Sequence, residues 1–133
     1  MSLRPLLLLT AAGLAGCVTP FRAPPDVAHL RLERADSPVL RVDKVWLERK
    51  AGPLTARGYV LWREEGLDTT ASHVDVQLID SSGRVLRTIV AELTPGQIVH
   101  RRPHPDYAAY HAPLDPLPAD TVAVRVSAHE GAH

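Results

Sequence analysis

From residue 39 onward the apolar residues of this chain recur at every second position, in short runs cut apart by Gly, Pro, Asp and Ser. A strand sends successive side chains to opposite faces of a sheet, so such a run buries one face, whereas a helix needs a period near 3.6. Leu54, Ala56, Gly58, Val60 and Trp62 share one parity against Thr55, Arg57 and Arg63 on the other, with Tyr59 and Leu61 as exceptions. Val74, Val76 and Leu78 alternate with His73, Asp75 and Gln77, and Val122, Val124 and Val126 alternate with Thr121, Arg125 and Ser127. Within residues 39–48 the apolar parity moves from Leu40 and Val42 to Val45 and Leu47, which predicts a β-bulge near Asp43 and Lys44. Residues 84–93 are apolar on both parities and read as a more central strand.

Turn chemistry punctuates these runs: Ala51-Gly52-Pro53, the stretch around Gly66, Asp80-Ser81-Ser82-Gly83, and Thr94-Pro95-Gly96. No window of ten or more residues beyond Cys17 carries a helical stripe, so nothing is present to cover a parallel sheet. The pattern predicts an all-β fold, an antiparallel immunoglobulin-like β-sandwich of about seven strands over residues 38–133. Residues 103–118 hold five prolines, at 103, 105, 113, 116 and 118, each without an amide to donate; they read as an irregular or edge strand followed by a rigid loop.

With 133 residues the chain is long enough for one ordinary domain, and its 15 Lys and Arg balance 15 Asp and Glu. Nucleic-acid binding draws on clustered cation excess, so no nucleic-acid partner is expected. The first residues form a separate unit. Arg4 precedes an apolar run of Leu6, Leu7, Leu8 and Leu9 with Ala11 and Ala12, too short for the roughly 20 residues of a membrane span and typical of a signal peptide.

That run ends in Leu14-Ala15-Gly16-Cys17, which resembles the lipobox of bacterial lipoproteins. The resemblance implies cleavage between Gly16 and Cys17, removal of residues 1–16, and acylation of the Cys17 thiol, so that membrane lipid becomes a partner of the mature chain. Cys17 is the only cysteine, which leaves a disulfide without a second half. Val18 follows it, where enteric lipoproteins kept in the inner membrane carry Asp; the likeness therefore implies the outer membrane, periplasmic face. Residues 17–37 read as a tether, with Pro20, Pro24 and Pro25 favouring extended backbone. Within it, residues 26–35 fit either a short helix capped by Asp26 or an edge strand alternating at Leu30, Arg31, Leu32 and Glu33.

Val76-Gln77-Leu78-Ile79-Asp80 followed by Ser81-Ser82-Gly83-Arg84-Val85 resembles the strand and turn of bacterial immunoglobulin-like domains of the FxLYD type. Leu78, Asp80 and Gly83 occupy the motif's positions, while Val76 and Ile79 replace its aromatics. Gly58-Tyr59-Val60 fits the preceding strand and Pro95-Gly96 the following turn. The likeness implies the fold; such folds host unrelated functions.

Side chains with reactive chemistry are few. His100, Arg101, Arg102, His104 and Asp106 form the densest polar cluster, with Tyr107, Tyr110 and His111 close behind. His100, His104 and His111 are the candidate metal ligands, although the prolines between them exclude the helix that would align ligands four apart, and no thiolate or thioether stands nearby. Arg101 and Arg102 are candidates for a partner surface, since a guanidinium grips anionic groups in a planar fork. No nucleophile elbow, paired-carboxylate motif or glycine-rich phosphate loop is present, so neither catalysis nor a cofactor is expected. Trp62 has the inward parity of its strand, whereas Trp46 follows the parity shift; facing outward near Tyr59 it would mark a surface for a protein partner in the periplasm or outer membrane. The pattern therefore predicts a displayed interaction or structural module, with metal handling as the alternative.

Overall fold

The computed structural model describes residues 22–50, 52–63, 72–94 and 107–130. Among these described residues seven strands follow a 3-10 turn at Pro25–Val27: β1 Arg31–Ala35, β2 Leu40–Glu48, β3 Thr55–Trp62, β4 His73–Ile79, β5 Val85–Glu92, β6 Tyr107–Pro113 and β7 Ala123–His129. They form two packed sheets, one in the order β1-β7-β4-β5 and the other β2-β3-β6. Every pairing is antiparallel except that of β1 with β7. The predicted β-sandwich is therefore the observed one. The predicted parities hold: Leu54, Ala56, Val60, Val74, Val76, Leu78, Val124 and Val126 are all fully buried between the sheets. Trp62 and Val122 are half-buried at the margins of that core.

The topology explains the one parallel pair. In an immunoglobulin-like sandwich the third and sixth strands pair, and the last strand flanks the sixth. Here β4 and β7 pair as the third and sixth do, β5 joins β4 instead of the sheet of β2, β3 and β6, and the flanking place is taken by β1, which comes from the other end of the sequence and runs parallel to β7. Leu32, Arg34 and Glu33 pair in register with Val124, Val126 and Arg125, and Glu33 accepts from Arg125 at 3.0 Å. Just upstream, Val27 and Leu30 are buried in the core. This corrects the expected boundary at residue 38: of the two readings of residues 26–35 the edge strand is the one adopted, and the folded unit reaches back to Pro25. Sequence alternation understated β1 because an edge strand leaves most of its side chains in solvent, as Leu32 at 39% exposure illustrates.

A second correction concerns β5. Its two apolar parities suggested a central position, yet it is an edge strand, and Val85 and Val90 remain 41% and 50% exposed. The interior strands are β7 and β4, and β4, flanked by β5 and β7, is buried on both faces. Exposed β-branched residues on β5 therefore report strand propensity rather than burial. At its inward-facing position β5 even carries Arg87, which donates to the carbonyls of Leu114 and Pro116 at 2.7 and 2.9 Å and closes that side of the sandwich.

The bulge expected at Asp43 and Lys44 is present: the β2–β3 register slips between Val42 and Lys44. A bulge turns backbone groups out of the ladder, and each of them here finds a side-chain partner. The Asp43 carbonyl accepts from Arg34 on β1 at 2.8 Å, the Val42 amide donates to Asp36 at 2.9 Å, and the Lys44 carbonyl accepts from the Tyr110 hydroxyl at 2.9 Å. Tyr110 reaches it from β6, two strands away, by lying across Gly58 of β3. Burial pushes the Tyr110 phenol far above its ordinary pKa, more than the opposing field of Arg34 lowers it, so the hydroxyl stays a donor.

Gly83 closes the β4–β5 hairpin at a φ of +87°, a conformation that glycine adopts without strain. Asp80 organises the turn: one carboxylate oxygen accepts from the Ser82 amide, the Ser82 hydroxyl and the Arg84 amide, at 2.9, 2.7 and 2.9 Å. Those bonds, that to the Ser82 hydroxyl foremost, hold its pKa below the ordinary carboxylate value.

Three outcomes follow. Gly58→Ala should destabilise the domain by about 3 kcal/mol or more in urea denaturation, because its Cβ would fall 1.8 Å from the Lys44 carbonyl and 2.2 Å from the Tyr110 hydroxyl. A chain starting at residue 38 should be less stable than one starting at residue 22 by at least ~3 kcal/mol, since burial of Val27 and Leu30 contributes roughly 1.5–3 kcal/mol each. For Asp80, a lowered folded-state pKa means stabilisation present above the unfolded value and lost as pH falls through the folded one. Asp80→Asn should therefore lower the midpoint of unfolding at neutral pH, and the difference from the parent should shrink as the solution is acidified below the ordinary carboxylate range.

Candidate interaction surface

The bulge decides which face Trp46 occupies. Ahead of it the even-numbered residues Leu40 and Val42 point inward; beyond it the odd-numbered Leu47 is buried and Val45 packs on the core, so Trp46 turns out onto the open face of the three-stranded sheet. Tyr59 on β3 and Tyr107 on β6 have the outward parity of their own strands. Residues on diagonally adjacent cross-strand positions lie within reach of aromatic rings. The result is a row of three rings across β2, β3 and β6. The Trp46 and Tyr59 centroids lie 5.5 Å apart, and those of Tyr59 and Tyr107 5.2 Å apart, the latter pair edge to face at 77°. Ala109, the partner of Tyr59 in register, leaves room for this contact.

The row is partly open to solvent, with Tyr107 at 42% exposure and Trp46 and Tyr59 half-buried. Beside it a hollow of about 300 Å³ is lined by Asp43, Tyr59, Leu61 and Tyr107. Polar groups surround the rings. Arg57 sits in register between Trp46 and His111 and pairs with Glu48, which also accepts from the Trp46 indole at 3.3 Å. Rings that are apolar in body and polar at the tip, ringed by charge, are the composition of binding hot spots.

The structure thus brings Trp46 and Tyr59 together, as the outward reading required, and adds Tyr107. Sequence reasoning set Tyr107 beside the His100 cluster and not on this face, because β6 reads Tyr-Ala-Ala-Tyr-His-Ala-Pro, with a tyrosine and at least one alanine on each parity, so alternation carries no signal there. Gly16, Cys17, His100, Arg101, Arg102 and His104 lie outside the described residues. His111 is described: it is exposed on β6, in register with Arg57. Among the described residues no three His, Cys, Asp or Glu side chains are arranged to hold a metal ion.

Another polar group was not foreseen. On the outer face of the four-stranded sheet His73 and His129 pair in register and stack at 5.3 Å, and both imidazoles face the carboxylate of Asp75, with Nε2 to oxygen distances of 3.7 and 3.2 Å. Asp75 and His73 are nearly buried although they stand on the face turned away from the core. The sequence showed them only as the polar parity of β4. The cross-strand match with His129, at the end of β7, depends on register, which composition does not reveal.

Comparison with known protein families, curated proteins and solved structures finds no match to this chain.

Proposed function

We propose that this chain is a non-catalytic lipoprotein of the outer membrane, anchored on the periplasmic face by an acylated Cys17, whose immunoglobulin-like sandwich binds a protein partner. The observation that carries the binding reading is the row of Trp46, Tyr59 and Tyr107 on the outer face of the three-stranded sheet. A solvated sheet face ordinarily alternates polar residues outward, and three adjoining rings there give a partner apolar area that is already rigid, since the rings brace one another. The Leu14-Ala15-Gly16-Cys17 motif behind its short apolar run supports the anchor. Several acyl chains on Cys17, each methylene contributing about 0.8 kcal/mol on burial, hold such a domain at the membrane without a charged patch. The Asp80 and Gly83 hairpin after Leu78 supports a place for the sandwich among FxLYD-type domains.

In-cell photo-crosslinking tests the binding reading. A photoreactive residue at Tyr107 should capture a protein partner, and the captured species should disappear when Trp46→Ser and Tyr59→Ser are introduced into a chain whose circular dichroism is unchanged. The same probe at Thr88, exposed on the other sheet, should capture nothing comparable. Equal capture from both positions, or none from Tyr107, refutes the aromatic row as the partner site. For the anchor, Cys17→Ser should leave unprocessed or soluble protein, and unchanged processing and detergent partitioning would refute it.

A further inference from the structure

Resting on the Cys17 anchor proposed above, we infer that the sandwich has a fixed polarity on the membrane: the end formed by residues 22–26 and the β2–β3 hairpin faces the lipid headgroups, and the opposite end, where β3 and β7 finish and β6 begins, faces away.

The argument is one of reach. Arg22 is joined to Cys17 by five residue spacings, and a fully extended chain gains at most about 3.5 Å for each, so Arg22 lies within about 17 Å of the anchored residue. Where Arg22 sits is defined by the fold. With Pro24 and Asp26 it lines one side of a groove of about 870 Å³ whose other side is Glu48, Arg49 and Lys50 at the end of β2. Asp26 is tied to Arg49 at 3.1 Å, and Arg49 also to Asp115 at 3.5 Å, which fixes the N-terminal segment to the β2–β3 end. From there β1 runs to the other end of the molecule, parallel to β7.

The opposite end is a strand length away. A nine-residue strand such as β2 covers about 30 Å, so inverting the domain would lift Arg22 roughly 30 Å from the bilayer, well beyond what five residues span. The strand termini that meet there, Arg63, Ser72, Thr94 and Tyr107, are those joined by the connections 64–71 and 95–106. Electrostatics does not set this polarity. At the near end Asp26, Asp115 and Glu48 offset three of the four cations Arg22, Arg49, Lys50 and Arg57, and an excess of one charge adds only about 1 kcal/mol of attraction to anionic lipid. The tether alone does so, and the headgroup surface is the occupant of the groove side. One consequence is that the ring row climbs from Trp46, which also lines the groove, to Tyr107 at the far end, so its most exposed ring stands furthest from the bilayer.

Because Cys17 is the only cysteine and is acylated in the mature chain, a single introduced thiol can be labelled cleanly. Lys50→Cys at the near end and Glu130→Cys at the far end, both exposed, are made separately in the full chain, isolated from bacterial membranes and labelled with a fluorophore. Each is reconstituted into phosphatidylethanolamine and phosphatidylglycerol vesicles that carry a headgroup nitroxide quencher. The expected result is several-fold stronger quenching at position 50 than at 130, unchanged between low and high salt. Quenching at 130 equal to or above that at 50, in protein that does partition into the vesicles, overturns the polarity and leaves the anchor standing. Loss of the position-50 signal at high salt overturns the tether as its cause. Failure of the chain to partition at all overturns the anchor, and the polarity with it.

Discussion

The hydroxyl of Tyr110, donated across a bare glycine to a bulged carbonyl, is the contact on which most of this sandwich depends. It joins β6 to β2 over the top of β3, so all three strands of one sheet are fastened by a single side chain. It requires Gly58, since any Cβ there would occupy the space of both the hydroxyl and the carbonyl. It also depends on the bulge, because a regular ladder would have committed the Lys44 carbonyl to β3. Leaving a buried carbonyl unsatisfied costs about 1–3 kcal/mol, which makes the tyrosine the natural complement to the irregular strand. Arg34 and Asp36 treat the neighbouring backbone groups likewise, so the same irregularity recruits β1 and the segment after it.

Through that recruitment the bulge bears on topology. β1 fills the place beside β7 that a strand following β7 would otherwise take, and it does so as a parallel strand held at its edge by few buried side chains. Its ion pair with Arg125 contributes little: Glu33 is well solvated, its carboxyl lowered chiefly by the hydrogen bond from Arg125, and exposed pairs contribute at most about 1 kcal/mol. What holds β1 is the burial of Val27 and Leu30 before it and the Arg34 bond to the bulge after it. The N-terminal segment is therefore structural where the proline content suggested only a spacer.

The uneven legibility of the sequence has the same origin. Strands whose one face is buried and other face wet announce themselves, and β3, β4, β7 and the parity shift in β2 were readable for that reason. Edge strands were less so. β1 could be read as a short helix or as an edge strand within the tether, and β5 as core, because exposure removes the constraint that couples side-chain polarity to direction. Of the candidate surface, Trp46 and Tyr59 were readable as a conditional pair whose outcome hinged on the bulge, while Tyr107 and the Asp75 group required cross-strand register, a long-range quantity that composition does not encode.

A single inserted residue thus connects the interior to the exterior. In a regular strand with Asp43 taken into the ladder, Trp46 would keep the inward parity of Leu40 and Val42 and Leu47 would turn outward; with Asp43 bulged out, Leu47 stays in the core and the indole joins Tyr59 on the open face. The device that forces Tyr110 and Gly58 into partnership is also the one that builds the ring row. Mutations that regularise β2 should for this reason never separate stability from surface chemistry. A change that straightens β2 while keeping all its residues strands the Tyr110 hydroxyl in the core and at the same moment withdraws the tryptophan from the face where a partner would meet it.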